Sequence, residues 1–279
     1  NMSVERLAEK LEQAEQGGAL PDVVIPVDFS GMPCDLAEIR ALADRYGFKI
    51  LQDASHATGA QYQGKPVGGQ YADATVFSFH AVKIVTSAEG GMVTTQDADL
   101  AKRIALLRSH GVTRDAALLE REPEGGWYYE QVDLGYNYRI TDIQAALGAS
   151  QLERIDTMQA ERATRANRYD RILADLPLKL PKRFDDRTSA WHLYVVELTV
   201  EAKCDRATLF AAMREAGIGV NVHYIPIHTQ PYYQRLGFKR GDFPAAEAYY
   251  ERAITIPLFP AMTDAEQDRV AEILGRELC

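Results

Sequence analysis

A lysine and an aspartate in two short motifs could together carry out carbonyl chemistry. Lys83 ends the run of residues 78–83, thirty residues after Asp53, which begins the run 53–56. A lysine amine can form a Schiff base with a carbonyl compound, and an aspartate can hold a pyridine nitrogen in its protonated form. A pyridoxal phosphate enzyme needs this pair of groups, so the two motifs predict both a cofactor and a family of reactions.

The neighbourhood of Lys83 distinguishes it from an ordinary surface lysine. Most lysines are exposed, but this one has apolar neighbours on both sides: Phe77, Phe79, Ala81, Val82, Ile84 and Val85. Partial removal from water lowers the pKa of a lysine and makes its amine nucleophilic at neutral pH. Other interpretations stay open for its partners, since Asp53 could be a turn residue or a helix cap and His56 could hydrogen-bond in the core. Ser78 could be a small strand residue, or its hydroxyl could donate to a phosphate.

Strands that alternate with helices must position these residues. The pattern predicts helices after the capping residues Ser3 and Asp35, a third helix through Leu100, and strands at 23–25, 50–51, 74–79 and 92–95. Such alternation is typical of a mainly parallel sheet covered by helices. In these sheets ligands bind beyond the carboxyl ends of the strands, which is where Asp53 and residues 78–83 fall.

The C-terminal part of the chain predicts a second, smaller domain. A helix begins at Thr141 with a capping box to Gln144 and could run to about Leu176, on the order of 50 Å and long enough to cross between domains. Beyond it we expect strands at 191–198 and 220–225 and helices at 208–216 and 264–278. The prediction is therefore a large domain at 1–165, which includes most of the long helix, and a small α+β domain at 166–279.

Composition excludes several classes of protein. The 279 residues include 40 acidic and 31 basic ones, and the net charge of −9 makes nucleic acid an unfavourable partner. The sequence has no run of eighteen apolar residues, and its first residues do not resemble a signal peptide. These features predict a cytoplasmic protein with no membrane partner. The three cysteines, Cys34, Cys204 and Cys279, are too far apart to predict a disulfide framework or a metal site.

Eight short segments, spread over nearly the whole chain, match one known family. They are 24–31 (VIPVDFSG), 53–57 (DASHA), 78–83 (SFHAVK), 89–91 (EGG), 108–111 (RSHG), 135–148 (GYNYRITDIQAALG), 223–228 (HYIPIH) and 256–260 (IPLFP). Together they resemble the DegT/DnrJ/EryC1/StrS sugar aminotransferases, which are pyridoxal phosphate enzymes of fold-type I. The resemblance implies an α/β fold-type I transferase with a mainly parallel large domain and a small α+β C-terminal domain.

The resemblance also implies roles at the cofactor. Lys83 would be the Schiff-base lysine and proton shuttle, and Asp53 the partner of the pyridine nitrogen. His56 would lie close to the ring oxygen of the cofactor, and the hydroxyl of Ser78 would meet its phosphate. Asn137 would reach the phosphate of the neighbouring subunit's cofactor, which implies a homodimer with shared active sites.

The substrate roles follow from the same resemblance. Residues 27–35 and His80 are most similar to the branch of the family that acts on UDP-linked 4-keto-6-deoxy-N-acetylhexosamines in pseudaminic acid biosynthesis, with glutamate as amino donor. Arg139 would be a charge partner near the cleft, and Asn221, His223 and Tyr224 would approach the nucleotide sugar. A lysine at position 83 also distinguishes the chain from related dehydratases, which carry histidine there.

Two features of the family's N-terminal part are absent from these 279 residues: a small-residue turn whose backbone N–H groups bind the phosphate, and an aromatic residue that stacks on the ring. We therefore expect a partly built cofactor site, weak binding of pyridoxal phosphate, low turnover and an exposed apolar surface on the sheet. A non-catalytic cofactor-binding relative remains an alternative. A nicotinamide-dependent enzyme is disfavoured, because no Gly-x-Gly-x-x-Gly motif follows a predicted strand.

Overall fold

A computed structural model describes all 279 residues, which divide into two compact units, Asn1–Ile155 and Asp156–Cys279. No helix combines the length and the apolarity that crossing a membrane would need. The described residues contain no group of three or more His, Cys, Asp or Glu side chains that could hold a metal ion.

The first unit is built around a four-stranded sheet. The strands of the whole unit are β1 (Val23–Val24), β2 (Lys49–Asp53), β3 (Gln61–Tyr62), β4 (Lys65–Pro66), β5 (Ala74–Ser78), β6 (Gly91–Thr94), β7 (Val112–Thr113) and β8 (Glu130–Gln131). Its helices are α1 (Val4–Gln16), α2 (Leu36–Tyr46), α3 (Ala98–Arg108) and α4 (Asp142–Leu152), with a 3₁₀ turn at Phe29–Gly31. The sheet order is β1-β2-β5-β6, in which the first three strands are parallel and β6 is antiparallel to β5.

Local sequence explains how this sheet presents its carboxyl edge. Helix α2 ends at Gly47, whose left-handed backbone (φ +82°) turns the chain directly into β2. Ile50 of β2 packs with Ile39 of α2 and Phe48 in a buried apolar cluster. Strand β2 ends at Asp53 and its parallel partner β5 ends at Ser78, so the two motifs lie at the same edge, as the sequence predicts.

Apolar residues are exposed on both edge strands of this sheet, as expected. Val23 on β1 is 48% exposed, and Met92 and Val93 on β6 are 51% and 40% exposed. The exposed residues Val82, Leu134, Tyr138 and Ile143 of the same unit add further apolar surface. A monomeric protein rarely leaves so many large apolar side chains in water, so these surfaces are suited to contact with other protein.

The second unit has its own core. It contains α5 (Ile155–Ile172), β9 (Leu178–Lys179), β10 (Arg187–Thr188), β11 (Tyr194–Leu198), α6 (Arg206–Glu215), α7 (Pro231–Gln234), α8 (Pro244–Arg252), β12 (Ala253–Ile256) and α9 (Asp264–Leu278). Strand β11 pairs antiparallel with both β12 and β9. Tyr169, Tyr194, Leu209, Ile254 and Leu274 are fully buried between this sheet and the helices.

Two element predictions are wrong. The helix from Thr141 does not continue to Leu176: it stops after Leu152, where Arg154 N–H donates to Gln151 C=O at 3.1 Å in a tighter turn, and α5 starts afterwards. The predicted domain boundary between 165 and 166 lies ten residues after the division between the compact units, which falls at the start of α5, between 155 and 156.

The second wrong prediction is the strand at residues 220–225, because these residues form no strand. Only Asn221 pairs with a neighbour, exchanging two backbone hydrogen bonds with Thr255 at 2.8 and 3.2 Å. The next backbone N–H, that of Val222, donates instead to the side-chain oxygen of Asn221 at 2.8 Å. The pairing that the apolar pattern predicts is thus limited to one residue, and the Asn221 side chain caps the next backbone N–H.

Candidate active site

Lys83 lies on a loop that follows β5 and is held at both ends by backbone hydrogen bonds. Its N–H donates to His80 C=O at 2.9 Å, and Ser87 N–H donates to Phe79 C=O at 2.9 Å. Ile84 and Val85 next to the lysine are 6% and 0% exposed. These buried neighbours anchor the loop, so Lys83 projects from a fixed backbone rather than from a mobile surface segment.

The amine of Lys83 is half-buried and close enough to Asp53 to sense its charge. Burial lowers the pKa of Lys83 because removal from water disfavours the ammonium, and the negative charge of Asp53 opposes this effect. No salt bridge or hydrogen bond engages the amine. A lysine with a lowered pKa and no competing partner is available as a nucleophile or a base.

Asp53 is held at the carboxyl end of β2 by its neighbours on both sides. Its carboxylate Oδ1 accepts the N–H of Ser55 at 3.0 Å, while its backbone C=O accepts the N–H of Asp28 at 2.9 Å. Three residues later, His56 is 8% exposed, and its Nδ1 accepts the N–H of Ser30 at 3.2 Å. The structure thus places Asp53 and His56 on one short turn.

Ser78 ends β5 and His80 follows it, at the same carboxyl edge of the sheet as Asp53. The hydroxyl of Ser78 accepts the N–H of His80 at 3.4 Å and retains its own proton for donation. The ring Nδ1 of His80 lies 3.0 Å from Oε1 of Glu89, and both side chains are exposed. Since a carboxylate can only accept, Nδ1 donates in this pair and the ring has a defined orientation.

Asn137 and Arg139 are exposed residues just before α4. Asn137 forms an isolated antiparallel bridge with Ser109. The neighbouring glycines allow this close approach, because a side chain on Gly135 would collide with the backbone of Gly111. Neither Asn137 nor Arg139 forms a hydrogen bond with the Lys83 loop within one chain.

The remaining predicted residues form a cluster in the second unit. The ring Nδ1 of His223 lies 2.7 Å from the hydroxyl of Thr255, and its Nε2 lies 3.5 Å from the side-chain nitrogen of Asn221. The ring of Tyr224 packs edge-on against His223 with 4.5 Å between centroids, and burial raises the pKa of its hydroxyl. The three side chains therefore form one polar and aromatic surface.

Sequence reasoning missed four residues that support these groups: Asp28, Ser30, Glu89 and Thr255. Glu89 belongs to a matched motif but was given no role, and Thr255 is the polar position of an otherwise apolar strand. Asp28 and Ser30 belong to the matched segment 24–31, but the residue type of Ser30 does not indicate its role, since it acts on His56 through its backbone N–H.

Comparison with known proteins places these observations in context. The sequence model of the DegT/DnrJ/EryC1/StrS aminotransferase family matches residues 1–275. The uncharacterized protein MJ1066 of Methanocaldococcus jannaschii is 39% identical over 267 residues, which are 95% of the chain and 67% of that protein. The spore coat polysaccharide biosynthesis protein SpsC of Bacillus subtilis is 42% identical over 253 residues, which are 89% of the chain and 64% of that protein.

Solved structures agree with these matches. PseC of Helicobacter pylori, an aminotransferase of pseudoaminic acid biosynthesis, superposes with a TM-score of 0.82 at 32% identity, covering 91% of the chain and 66% of PseC. The PMP-form of Spr1654 of Streptococcus pneumoniae, a sugar aminotransferase by its description, gives a TM-score of 0.83 at 31% identity, covering 91% and 69%. The chain thus spans about two thirds of the length of the proteins it matches. The predicted fold-type I architecture is confirmed.

Proposed function

The chain belongs to the DegT/DnrJ/EryC1/StrS aminotransferase family, and from this premise we propose that it transfers an amino group from glutamate to C4 of a UDP-linked 4-keto-6-deoxy sugar. The observation that carries the proposal is the half-buried Lys83 amine within reach of the charge of Asp53. A sugar acceptor is supported by the descriptions of SpsC, which names polysaccharide biosynthesis, and of PseC, which names pseudoaminic acid.

Enzymes of this family depend on pyridoxal phosphate, and Spr1654 is known in both its PLP-form and its PMP-form. Four side chains of the first unit offer groups that suit parts of this cofactor. Lys83 would hold its carbonyl carbon, Asp53 its pyridine nitrogen, His56 its ring oxygen and Ser78 its phosphate. When bound, the cofactor supplies an electron sink that allows a C–H bond next to nitrogen to break.

Lys83 performs the proton transfers in this proposal. Because its pKa is lowered, more of its amine is neutral near pH 7, where it can attack a carbonyl carbon or accept a proton from an amino acid α-carbon. In the second half of the reaction, in which the keto sugar takes up the amino group, the Lys83 ammonium returns a proton to the sugar. The short, anchored loop keeps the amine in place for both steps.

Asp53 and His56 set the charge around the reacting group. The Asp53 carboxylate would hold a proton on the pyridine nitrogen by a charge-assisted hydrogen bond. His56 accepts a backbone N–H at Nδ1, so its neutral ring carries its own proton on Nε2 and is a donor there. The two side chains thus place one negative charge and one donor on the same turn.

We propose that His80 and Arg139 contact the sugar nucleotide. For Asn221, His223 and Tyr224 we propose a contact with the same class of ligand. Support comes from the chemistry of these groups. Arg139 can pair with phosphate oxygens, and an aromatic ring such as Tyr224 can stack on a uracil or a sugar face. Thr255 keeps the His223 ring in one orientation by its 2.7 Å contact.

Borohydride reduction in the presence of pyridoxal phosphate tests the function directly. We expect a pyridoxyl group on Lys83 alone when the reduced protein is digested and mapped by mass spectrometry, because only this lysine combines partial burial with a nearby aspartate charge. Donor and acceptor panels then define the reaction, and we expect glutamate with UDP-4-keto sugars to be the best pair. An adduct spread over surface lysines, or none, would refute the assignment.

A homodimer with shared sites is a further part of the proposal. Asn137 lies among exposed apolar side chains: Leu134 at 75%, Tyr136 at 56%, Tyr138 at 72% and Ile143 at 85% exposure. A second copy of the chain would cover them, and Asn137 would then reach the phosphate site of its partner. Surfaces of this kind are typical of obligate interfaces.

Mixing two inactive variants tests the sharing. In a dimer of one Lys83→Ala and one Asn137→Ala subunit, both defects fall in one site and the other site is intact. We therefore expect about a quarter of the wild-type rate after random subunit exchange, because half of the dimers are mixed and each has one working site. A mixture with no more activity than its separate components would show that Asn137 serves the site of its own chain.

A further inference from the structure

Asp28 is a fully buried carboxyl group without a role in the chemistry above. It is 0% exposed, and both of its oxygens accept hydrogen bonds: Oδ1 from Cys34 N–H at 2.9 Å and Oδ2 from the side-chain amide of Gln52 at 2.6 Å. The amide oxygen of Gln52 in turn accepts the hydroxyl of Thr75 at 3.0 Å. This polar chain joins the segment after β1 to β2 and β5, the two strands that carry the candidate site.

The carboxylate closes a short loop of residues 29–33. Its bond to Cys34 N–H links the two ends of the loop, and the backbone N–H of Asp28 donates to Asp53 C=O at 2.9 Å. Within the loop, Ser30 has φ +64°, a left-handed conformation that a serine adopts only when its surroundings hold it. Asp28 supplies one restraint from inside the core, and Asn1 supplies another from outside, because its side chain accepts Phe29 N–H at 3.1 Å and donates to Met32 C=O at 2.7 Å.

The loop acts on one residue of the candidate site. Ser30 N–H donates to Nδ1 of His56 at 3.2 Å, and the ring of Phe29 lies 5.9 Å from the His56 ring. A backbone N–H can only donate, so Nδ1 must be an acceptor and the neutral imidazole must be protonated at Nε2. The tautomer of His56 therefore depends on the position of Ser30.

We propose that Asp28 is a positioning residue, which holds the loop 29–33 so that Ser30 keeps His56 in its Nε2–H form, ready to donate to the ring oxygen of the cofactor. This role rests on the proposed function for its ligand, but the hydrogen bonds that define it are present in the chain itself. A carboxylate serves here because one group can accept simultaneously from a backbone N–H and from an amide.

Stability alone does not explain this residue. Burial raises the pKa of Asp28 from 3.8 to about 6, because the charged form is removed from water. A carboxyl group whose pKa rises on folding weakens the folded state as the pH increases from 3.8 to about 6. At neutral pH an uncharged side chain of the same shape should therefore not lower stability.

Asparagine is that side chain and provides the matched control. In Asp28→Asn the Oδ1 atom still accepts Cys34 N–H. The Gln52 amide can rotate so that its oxygen accepts from the new amide, while its nitrogen donates to the Thr75 hydroxyl. We expect Asp28→Asn to keep the loop, whereas Asp28→Ala removes both acceptors.

The first measurement is the ¹⁵N spectrum of the imidazole rings in the cofactor-free protein, in which His56 is assigned among six histidines by its loss in His56→Ala. We expect one protonated nitrogen, Nε2, in wild type and Asp28→Asn, and a mixture of tautomers in Asp28→Ala. If Asp28→Ala does not fold, Asp28→Ser retains a polar group but is too short to reach Cys34 N–H, and the same mixture is expected. An unchanged tautomer in the folded variant would overturn the proposal.

The second measurement is a double-mutant cycle on the dissociation constant of pyridoxal phosphate. We expect Asp28→Ala to raise it about tenfold, as loss of one buried hydrogen bond would, and Asp28→Asn to leave it within about threefold. In the His56→Ala background Asp28→Ala should have no further effect, since its influence passes through His56. Additive effects would mean a merely structural role. If the proposed function fails, Lys83 shows no pyridoxyl adduct, while the tautomer measurement still decides the role of Asp28.

Discussion

Replacing Lys83 with alanine should lower kcat for transamination by roughly 10⁴-fold or more, because one side chain supplies both the nucleophile and the proton shuttle. Burial lowers the pKa of this amine and so favours its neutral, nucleophilic form, which the variant lacks. Steady-state assays with glutamate and a UDP-4-keto sugar would measure the loss. Borohydride reduction should find no pyridoxyl group at position 83.

Lys83→Arg is a second variant that separates the role of the positive charge from that of the amine. It keeps a positive charge near Asp53, but a guanidinium neither forms the Schiff base nor gives up its proton at neutral pH. We expect it to be as inactive as alanine. The matched control is Lys102→Ala, at an exposed lysine on α3 that pairs only with Asp99, and it should retain wild-type activity. Substantial turnover by Lys83→Arg would show that charge, not amine chemistry, is what the site requires.

Asp53→Asn should lower kcat by about 10²- to 10³-fold, the effect of removing one charged group from a preorganised site. Asparagine keeps the shape and can still accept the N–H of Ser55, which the carboxylate accepts at 3.0 Å. It cannot balance a proton on the pyridine nitrogen, so the cofactor would lose its strength as an electron sink. The loss should therefore appear in kcat more than in the dissociation constant of the sugar nucleotide.

The same substitution has a consequence for Lys83 that needs no cofactor. The Asp53 charge raises the pKa of Lys83 against the larger lowering caused by burial. Without that charge only the lowering remains, so the pKa of Lys83 should fall and the amine should stay neutral to a lower pH. Competitive acetylation of the cofactor-free protein at a series of pH values, read by mass spectrometry, would measure this shift.

Asp53→Glu and Asp185→Asn are the controls for this prediction. Glutamate retains the charge and should keep the pKa of Lys83 higher than asparagine does, although one added methylene will misplace the carboxylate. Asp185 lies in an exposed segment, so its replacement should change neither kcat nor the reactivity of Lys83. A pKa for Lys83 that is unchanged in Asp53→Asn would mean that the two groups are not electrostatically coupled.

The sequence alone predicted the main elements of the site. The strands that end at Asp53 and Ser78 and the capping box that starts α4 depend on residues close together in the chain. Such features follow from side-chain chemistry and periodicity within a few residues. The helix Asp264–Leu278 has the predicted bounds, and in the structure it begins with a capping box of Thr263 and Glu266.

Where local signals were ambiguous, tertiary contacts decided. Residues 220–225 have the apolar pattern of a strand, yet only Asn221 pairs with a neighbouring strand, at Thr255. The break between α4 and α5 has no proline or glycine to mark it, so the helical pattern continues through a turn that only the packed structure contains. Propensity is a weak guide when two neighbouring helices must pack in different units.

The sequence by itself determined which chemistry this chain can support, because that chemistry depends on residue types and their spacing. The residues are a lysine, an aspartate and a set of short motifs. Only the tertiary structure decided how the groups are held. Asp28 acts across the core through Gln52, and Ser30 acts on His56 through a backbone N–H in a left-handed turn. Such contacts join residues 24 to 26 positions apart and involve no side-chain pattern, so they arise only when the sheet and its loops are assembled.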